Sequence, residues 1–108
     1  MKGCIILIIS SFLYLGNAQV SVIHFNSEWN KENAFDISVL KDCDKKNVMI
    51  CHNEKLKDKH NIISVPTIIV FDEGKEVARF QANILMKLTA TKKDIQQEID
   101  KIYLTKFE

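Results

Sequence analysis

The segment at residues 65–80 constrains the fold of this chain more than any other part of the sequence. It contains the only proline of the chain, Pro66, which is followed by an unbroken apolar run at residues 68–71. Such a run of β-branched and aromatic residues favours a strand. Acidic residues and a glycine supply turn chemistry at residues 72–75, and residues 76–80 are of strand length. The sequence therefore predicts an antiparallel hairpin within a sheet.

The preceding part of the chain is predicted to form two parallel strands joined by a helix. Residues 20–25 are rich in β-branched residues and favour a strand, and residues 30–40 carry apolar side chains at helical spacing. The continuous apolar stretch at residues 48–51 is the pattern of a strand covered on both faces, so we expect this strand to lie centrally in the sheet. Two strands connected through a helix are parallel by the crossover rule.

Two further helices are predicted. Residues 54–60 are charged and helix-prone, which favours one or two turns on the surface. Near the C-terminus, Thr91 and Asp94 resemble a capping box, and an apolar stripe that must cover the sheet follows: Ile95, Ile99, Ile102 and Tyr103. The fold class is therefore α/β, with a mixed central sheet of about four strands in the order β-α-β-α-β-β-α. The apolar residues 84–88 are expected to complete the core, with contact to a partner or a second copy as the alternative.

Residues 1–18 are predicted to be a secretory signal peptide, which leaves a single domain at residues 19–108. Lys2 gives a positive start, residues 4–15 are apolar except for two serines, and Gly16 and Ala18 are small residues of the kind that a signal peptidase reads. The apolar run is shorter than the roughly 20 residues that span a bilayer, so no permanent membrane span is expected. We therefore expect export to the periplasm or the extracellular space. A buried N-terminal strand is the alternative.

Composition and spacing argue against several classes of ligand. Lysine and arginine number 15 against 14 acidic residues, and the two signs are scattered along the chain, so no nucleic-acid partner is expected. Cys51, His52 and His60 match no closed zinc pattern, and adjacent residues on a strand point in opposite directions. We expect neither a metal nor a cofactor.

Two segments far apart in the sequence resemble the thioredoxin-like family. Residues 22–29, VIHFNSEW, resemble the family's strand that ends in a tryptophan just before the Cys-x-x-Cys motif. Residues 65–77, VPTIIVFDEGKEV, resemble its proline loop and hairpin, with Pro66 at the position of a cis-proline that faces the active site. The resemblance covers most of residues 20–103 and implies a thioredoxin fold without its first strand and helix.

The chain differs from the family at the two positions of the reactive cysteines. Thioredoxin chemistry needs a thiolate with a lowered pKa and a second thiol that resolves the mixed disulfide. Asn30 and Asn33 stand at the two cysteine positions, and asparagine cannot attack a disulfide, although it is a good helix N-cap. The comparison with the family therefore implies a redox-inactive thioredoxin-like domain with no catalytic residue at this place.

We expect the same place to survive as a binding groove for a protein or an extended peptide. By the resemblance, the backbone of Val65 would pair with an extended partner, which is β-augmentation, and Trp29 would be the aromatic anchor. The predicted binding residues belong to the two facing loops: Trp29, Asn30, Asn33, Val65, Pro66 and Thr67. Two alternatives stay open, namely that these residues only maintain loop packing and that the chain is a passive structural subunit. No oligomeric state is predicted.

The remaining histidine and cysteine residues give one competing hypothesis. By the resemblance, His24 takes the place of the family's buried aspartate, and we expect a buried neutral histidine there. Cys43 and Cys51 are expected at opposite ends of one strand, too far apart for a disulfide. Cys51 would end that strand beside His52, at the edge where α/β folds place their sites. A thiol-disulfide oxidoreductase or isomerase of monothiol type using Cys51 is therefore the alternative function, although a structural role for this cysteine is favoured.

Overall fold

Four strands form a single mixed sheet in the order β2-β1-β3-β4. The computed structural model describes residues 19–106, and the predicted signal peptide at residues 1–18 lies outside the described residues. The strands are β1 (Val20–Asn26), β2 (Asp44–Met49), β3 (Thr67–Asp72) and β4 (Lys75–Gln81). Strand β1 is parallel to β2 and antiparallel to β3, and β3 is antiparallel to β4. The predicted hairpin, the parallel strand pair and the α/β class are confirmed.

The central strands β1 and β3 bury both of their faces, because successive side chains alternate between two apolar layers. One layer packs against helix α2 (Lys92–Lys106) and is aliphatic: Val20, Val22, Ile37, Leu40, Ile68, Val70, Ile95, Ile99 and Ile102. The opposite layer is joined by half-buried Leu56 of the short helix α1 (Glu54–Lys59) and contains two aromatic rings: Phe25, Val48, Ile62, Val65, Ile69 and Phe71. Full burial of one such side chain contributes about 1.5–3 kcal/mol, so these two layers hold the sheet.

Helix α2 begins with the predicted capping box and ends in a tie to the sheet. The Thr91 N–H donates to Asp94 Oδ2 at 2.8 Å, and the Asp94 N–H donates to Thr91 Oγ1 at 3.3 Å. At the other end of the helix, Lys106 Nζ donates to Asp72 Oδ1 at 2.9 Å and also contacts Gln19 Oε1. The helix therefore connects the β3–β4 turn to the start of β1.

The helix predicted at residues 30–40 is wrong as an α-helix. The structure has two 3-10 segments there, Glu28–Asn33 and Ile37–Val39, which are joined by extended backbone. Asn30 departs from helical geometry with φ −114° and ψ 19°. Asp36 Oδ1 accepts a hydrogen bond at 3.0 Å from the backbone N–H two residues on, a local bond that competes with helical hydrogen bonds. Short polar side chains therefore favour turns in this stretch, although its apolar residues have helical spacing.

Strand β2 lies at an edge of the sheet and not at its centre, so that prediction is wrong. It spans Asp44–Met49 rather than residues 48–51, and Val48 is its one buried residue. An edge strand needs no apolar face on its outer side, and the two lysines of β2 are typical of exposed edges. The rest of the apolar run lies in the 3-10 segment Ile50–His52 after the strand.

The short surface helix agrees with the sequence prediction. Helix α1 occupies the predicted surface position between β2 and β3, and none of its residues is buried. Among residues 19–106, no helix is both long and apolar enough to cross a membrane. The longer helix, α2, has 15 residues, against the roughly 20 that span a bilayer.

Candidate functional site

The loop that ends at Pro66 and the loop that follows β1 meet at one end of the sheet. In the β1–β3 pairing, Phe25 lies opposite Thr67, so the start of β3 is next to the end of β1. The Val65–Pro66 peptide bond is cis, as the resemblance implied. The six predicted binding residues are therefore brought to the same end of the molecule.

Asn30 is the centre of a hydrogen-bond network at this end, and it is only 4% exposed. Its Nδ2 atom lies 3.2 Å from each of three oxygens: Asn26 Oδ1, the Val65 carbonyl and the Met86 carbonyl. Its Oδ1 atom accepts from Asn33 Nδ2 at 2.8 Å. One side-chain amide thus joins the end of β1, the loop after it, the loop before β3 and the loop after β4. We call this arrangement the Asn30 network.

The three oxygens around Asn30 Nδ2 favour a hydrogen-bond donor and disfavour an anion. An amide NH2 group carries two protons, so the three acceptors share them. A thiolate in the same place would need hydrogen-bond donors or a nearby positive charge, since these lower the pKa of a thiol. Carbonyl oxygens have the opposite effect, because their partial negative charge repels a thiolate. The surroundings therefore suit the neutral amide that the sequence supplies.

The predicted binding residues differ in exposure. Val65, Pro66 and Thr67 are all buried. Trp29 is 69% exposed, although it is next to the buried Asn30 in the sequence. A partner can therefore reach the Trp29 side chain directly, whereas the Val65 carbonyl already accepts a hydrogen bond from the Asn30 amide.

The loop after β4, residues 82–88, contributes a site element that the sequence analysis missed. Asn83 Oδ1 accepts from the Leu85 N–H at 2.9 Å and from the Lys87 N–H at 3.2 Å, which folds the loop back on itself. Met86 adopts left-handed backbone geometry in this turn, with φ 61°, and its carbonyl belongs to the Asn30 network. The one local signal for such a turn is the asparagine, because its side chain often bonds to nearby backbone.

Several exposed apolar side chains lie close in sequence to members of the Asn30 network. The expectation that residues 84–88 complete the core holds for Leu88, which packs on the α2 layer, whereas Met86 is half-buried and Ile84 and Leu85 are exposed. Seven large apolar side chains are exposed among residues 19–106, and four of them lie one or two residues from a member of the network: Trp29, Ile63, Ile84 and Leu85. We call these four residues the apolar rim.

His24 is buried, and both of its ring nitrogens are engaged. The Phe35 N–H donates to Nε2 at 3.1 Å, so Nε2 carries no proton and the proton is on Nδ1. Nδ1 lies 2.9 Å from Oδ1 of Asn47, the residue opposite His24 on β2. Burial lowers the pKa of His24 below its ordinary value, and the Asn47 bond offsets part of that effect. This geometry is that of a buried neutral histidine, as expected.

The two described cysteines are free and lie at opposite ends of β2, in agreement with the prediction. Cys43 is half-buried, and burial raises the pKa of its thiol. Cys51 is exposed in the 3-10 segment after β2. Within the described range 19–106, no group of three or more histidine, cysteine, aspartate or glutamate side chains is placed to hold a metal ion.

Comparison with known proteins shows the fold. No protein-family model matches the chain, and no curated protein matches it by sequence. Among solved structures, the thioredoxin of Schistosoma mansoni is 22% identical with a TM-score of 0.61, over 86% of this chain and 85% of that one. A malaria parasite thioredoxin-2 is 23% identical with a TM-score of 0.60, over 76% of this chain and 82% of that one. These similarities, together with the mixed four-stranded sheet, show that the chain has a thioredoxin-like fold.

Replacement of Asn30 tests whether its network holds the site together. Asn30→Ala removes the shared donor and leaves buried acceptors without a partner, so we expect it to lower the free energy of unfolding by about 2–3 kcal/mol. Asn30→Asp should lower it further at neutral pH, because a carboxylate would face the same oxygens. The measurement is urea unfolding followed by circular dichroism. Asn53→Ala, at an exposed asparagine whose side chain does not cap α1, is the matched control.

The control variant should stay within about 0.5 kcal/mol of the unaltered protein. The extra loss in Asn30→Asp should shrink as the pH falls, because its surroundings raise the pKa of the introduced carboxyl group in the folded state. Protonation between that raised pKa and about 3.9, the ordinary aspartate value, then removes the penalty. Equal stabilities for Asn30→Ala and Asn53→Ala would contradict a role for Asn30 in holding these loops.

Proposed function

We propose that this chain is a redox-inactive thioredoxin-like domain that binds a protein, or an extended segment of one, as a binding or scaffolding module in the cell envelope. The observation that carries the proposal is the exposed apolar rim, whose residues adjoin in sequence a polar network that makes its hydrogen bonds within the chain. Placement outside the cytoplasm rests on the sequence of residues 1–18, whose positive start, apolar run and small residues resemble a signal peptide.

Two observations support redox inactivity. Asn30 and Asn33 have no nucleophilic side-chain atom, so neither can form the mixed disulfide of a thiol-disulfide exchange. The surroundings of Asn30 Nδ2 consist of acceptor oxygens, whereas an attacking thiolate needs donors. Both the reacting atoms and the electrostatic environment of a dithiol centre are therefore replaced.

The apolar rim supports recognition by side chains more than by backbone pairing. Apolar area that is removed from water contributes about 25 cal/mol per Å², and aromatic residues such as Trp29 are common anchors of interfaces. Among residues 19–106, the Val65 N–H donates to no acceptor, but the Val65 carbonyl accepts from Asn30. An extended partner can thus add one backbone hydrogen bond at Val65 while the rim provides most of the contact.

Two leucines of nearly equal exposure allow a matched test of the apolar rim. Leu85, in the rim, is 67% exposed, and Leu104, on α2, is 66% exposed. We expect Leu85→Ser and Trp29→Ala to weaken binding of an unfolded polypeptide at least about tenfold, or about 1.4 kcal/mol, because each removes apolar contact area. Leu104→Ser should bind as the unaltered protein does. The measurement is fluorescence anisotropy with labelled, reduced and carboxymethylated lactalbumin as the unfolded probe.

The outcomes of this binding test separate the alternatives. Equal weakening by Leu85→Ser and Leu104→Ser would indicate nonspecific hydrophobic adhesion rather than a site. Absence of binding by the unaltered protein would contradict recognition of extended chains and would favour loop packing or a passive structural role. Circular dichroism of each variant checks that the fold is retained.

The exposure of Cys51 favours one competing function, a monothiol oxidoreductase or isomerase. In that reaction the Cys51 thiolate attacks a disulfide, forms a mixed disulfide and releases one substrate thiolate, and an external thiol then displaces Cys51. Among residues 19–106 the one other cysteine, Cys43, lies at the opposite end of β2 and is not placed to resolve a mixed disulfide at Cys51. The competing function therefore depends on a thiol from outside.

Insulin reduction by dithiothreitol tests the competing function. We expect the purified protein to give no acceleration over buffer, and we expect Cys51→Ser and Cys43→Ser to behave in the same way, because none of them carries a dithiol centre. Turbidity from the precipitating insulin B chain is the measurement. Acceleration that is abolished by Cys51→Ser and preserved by Cys43→Ser would establish monothiol catalysis instead.

A variant with both cysteines tests whether missing thiols alone explain the absence of catalysis, or whether the surroundings of position 30 also prevent it. We expect Asn30→Cys/Asn33→Cys to remain a poor catalyst, because the thiol at position 30 would face the carbonyls of Val65 and Met86. Its pKa should lie above the ordinary value of about 8.5. The pH dependence of alkylation by iodoacetamide measures this pKa. A thiol at position 30 that titrates below the ordinary value would contradict the electrostatic argument.

A further inference from the structure

The connection between β1 and β2 contains no α-helix and makes few backbone–backbone hydrogen bonds, so side chains supply partners for other backbone groups in it. Three side-chain ties to other elements hold residues 30–41 of it, and beyond them the Tyr103 hydroxyl donates to the Asp42 carbonyl at 2.7 Å. The first is the Asn30 network at its start. The second lies near its end, where the Lys41 N–H donates to Gln96 Oε1 at 2.9 Å and Gln96 Nε2 donates to the Lys41 carbonyl at 3.1 Å. The third lies between them, where the Phe35 N–H donates to His24 Nε2 at 3.1 Å.

Of the three ties, the one through His24 can be switched by pH near neutrality. Side-chain amides do not titrate in this range, whereas histidine does at about 6.5. In the protonated ring both nitrogens carry protons, so the Nε2–H would point at the Phe35 N–H, and two donors cannot bond each other. The bond from Nδ1 to Asn47 can remain, because Nδ1 carries a proton in both states.

We infer that His24 is an acid-sensitive latch: protonation of Nε2 breaks the contact with Phe35 and loosens residues 34–40, the stretch between the Asn30 network and the Gln96 contacts. The release itself is a property of the free protein. Any effect on a partner rests on the proposed function, because the loosened stretch follows the Asn30 network, which adjoins Trp29 of the apolar rim in the sequence.

Burial and hydrogen bonding, rather than neighbouring charges, determine the pKa of His24. Across the sheet its neighbours are Asn47 on β2 and Ile68 on β3. The charged side chains next to Asn47, next to Phe35 and at the start of α2 are all exposed: Lys45, Lys46, Asp36 and Asp94. Burial is the main cause of the lowered His24 pKa, and the Asn47 bond opposes it.

The direction of the effect follows from linkage. The His24 pKa is lowered in the closed state, whereas a hydrated imidazole in the loosened state titrates at about 6.5, so protons favour the loosened state. The closed state is fully favoured above about pH 6.5 and loses stability as the pH falls to the lowered pKa. Within that window the equilibrium should shift about tenfold toward the loosened state for each pH unit.

Amide hydrogen exchange by NMR on the full chain, alongside the ring titration of His24, tests the latch. We expect the protection factor of the Phe35 amide, corrected for intrinsic exchange, to fall about tenfold per pH unit below about 6.5 while β1 and β3 stay protected. His24→Gln should abolish this dependence, because its side-chain oxygen can accept from Phe35 but does not titrate. His60→Gln is the matched control, because burial also lowers the pKa of His60, which packs on Phe25 and Phe71 in the opposite layer.

Three results would overturn the inference. The first, which needs no variant, is Phe35 protection that does not follow the His24 titration in the unaltered chain. The second is a pH dependence that survives in His24→Gln, and the third is a loss of protection shared by β1 and β3, which would mean global unfolding. None of these measurements involves a partner. They can therefore contradict the latch without contradicting the proposed binding function, and a negative binding test would not contradict the latch.

Discussion

A single buried amide determines how one end of this molecule is organised. The Asn30 side chain lies among oxygens that belong to three different segments, and Asn26 Nδ2 adds a bond to the Asn30 carbonyl at 3.2 Å. A buried polar group without partners costs about 1–3 kcal/mol, so the surrounding loops are fixed where these bonds can be made. Because the polar groups of these loops turn inward, their apolar neighbours in the sequence, such as Trp29 and Leu85, are left exposed.

The thioredoxin-like scaffold of this chain does not depend on thiol chemistry. Its two apolar layers, its hairpin and its cis-proline are all present, and the described cysteines lie outside the Asn30 network. The sheet is held by burial of aliphatic and aromatic side chains, whereas the site is formed by loops at its end. The two can therefore change separately, which is the general relation between a fold and the functions it carries.

Local patterns predicted the parts of the fold that depend on residues close in sequence. The hairpin of β3 and β4 and the capping box of α2 are of this kind. The failures have non-local causes, since the Phe35 N–H bonds to His24 rather than within a helix, and the edge position of β2 depends on which strands pair with β1. For the site, the family resemblance predicted that two loops far apart in sequence face each other, and the structure places both at the same end of the sheet. The resemblance did not predict the unequal exposure of the six residues. The burial of Asn30 involves a hydrogen bond to the Met86 carbonyl, which is 56 positions away in the sequence.

The contacts of Lys106 place the two ends of the described chain side by side. Lys106 reaches both Gln19, just before β1, and Asp72, at the end of β3. The Asn30 network lies at the other end of β1, a strand of 7 residues, which spans about 20 Å at roughly 3.3 Å per residue. A tether, a neighbouring domain or a solid support joined at residue 19 or residue 106 would therefore lie about the length of β1 away from the Asn30 network.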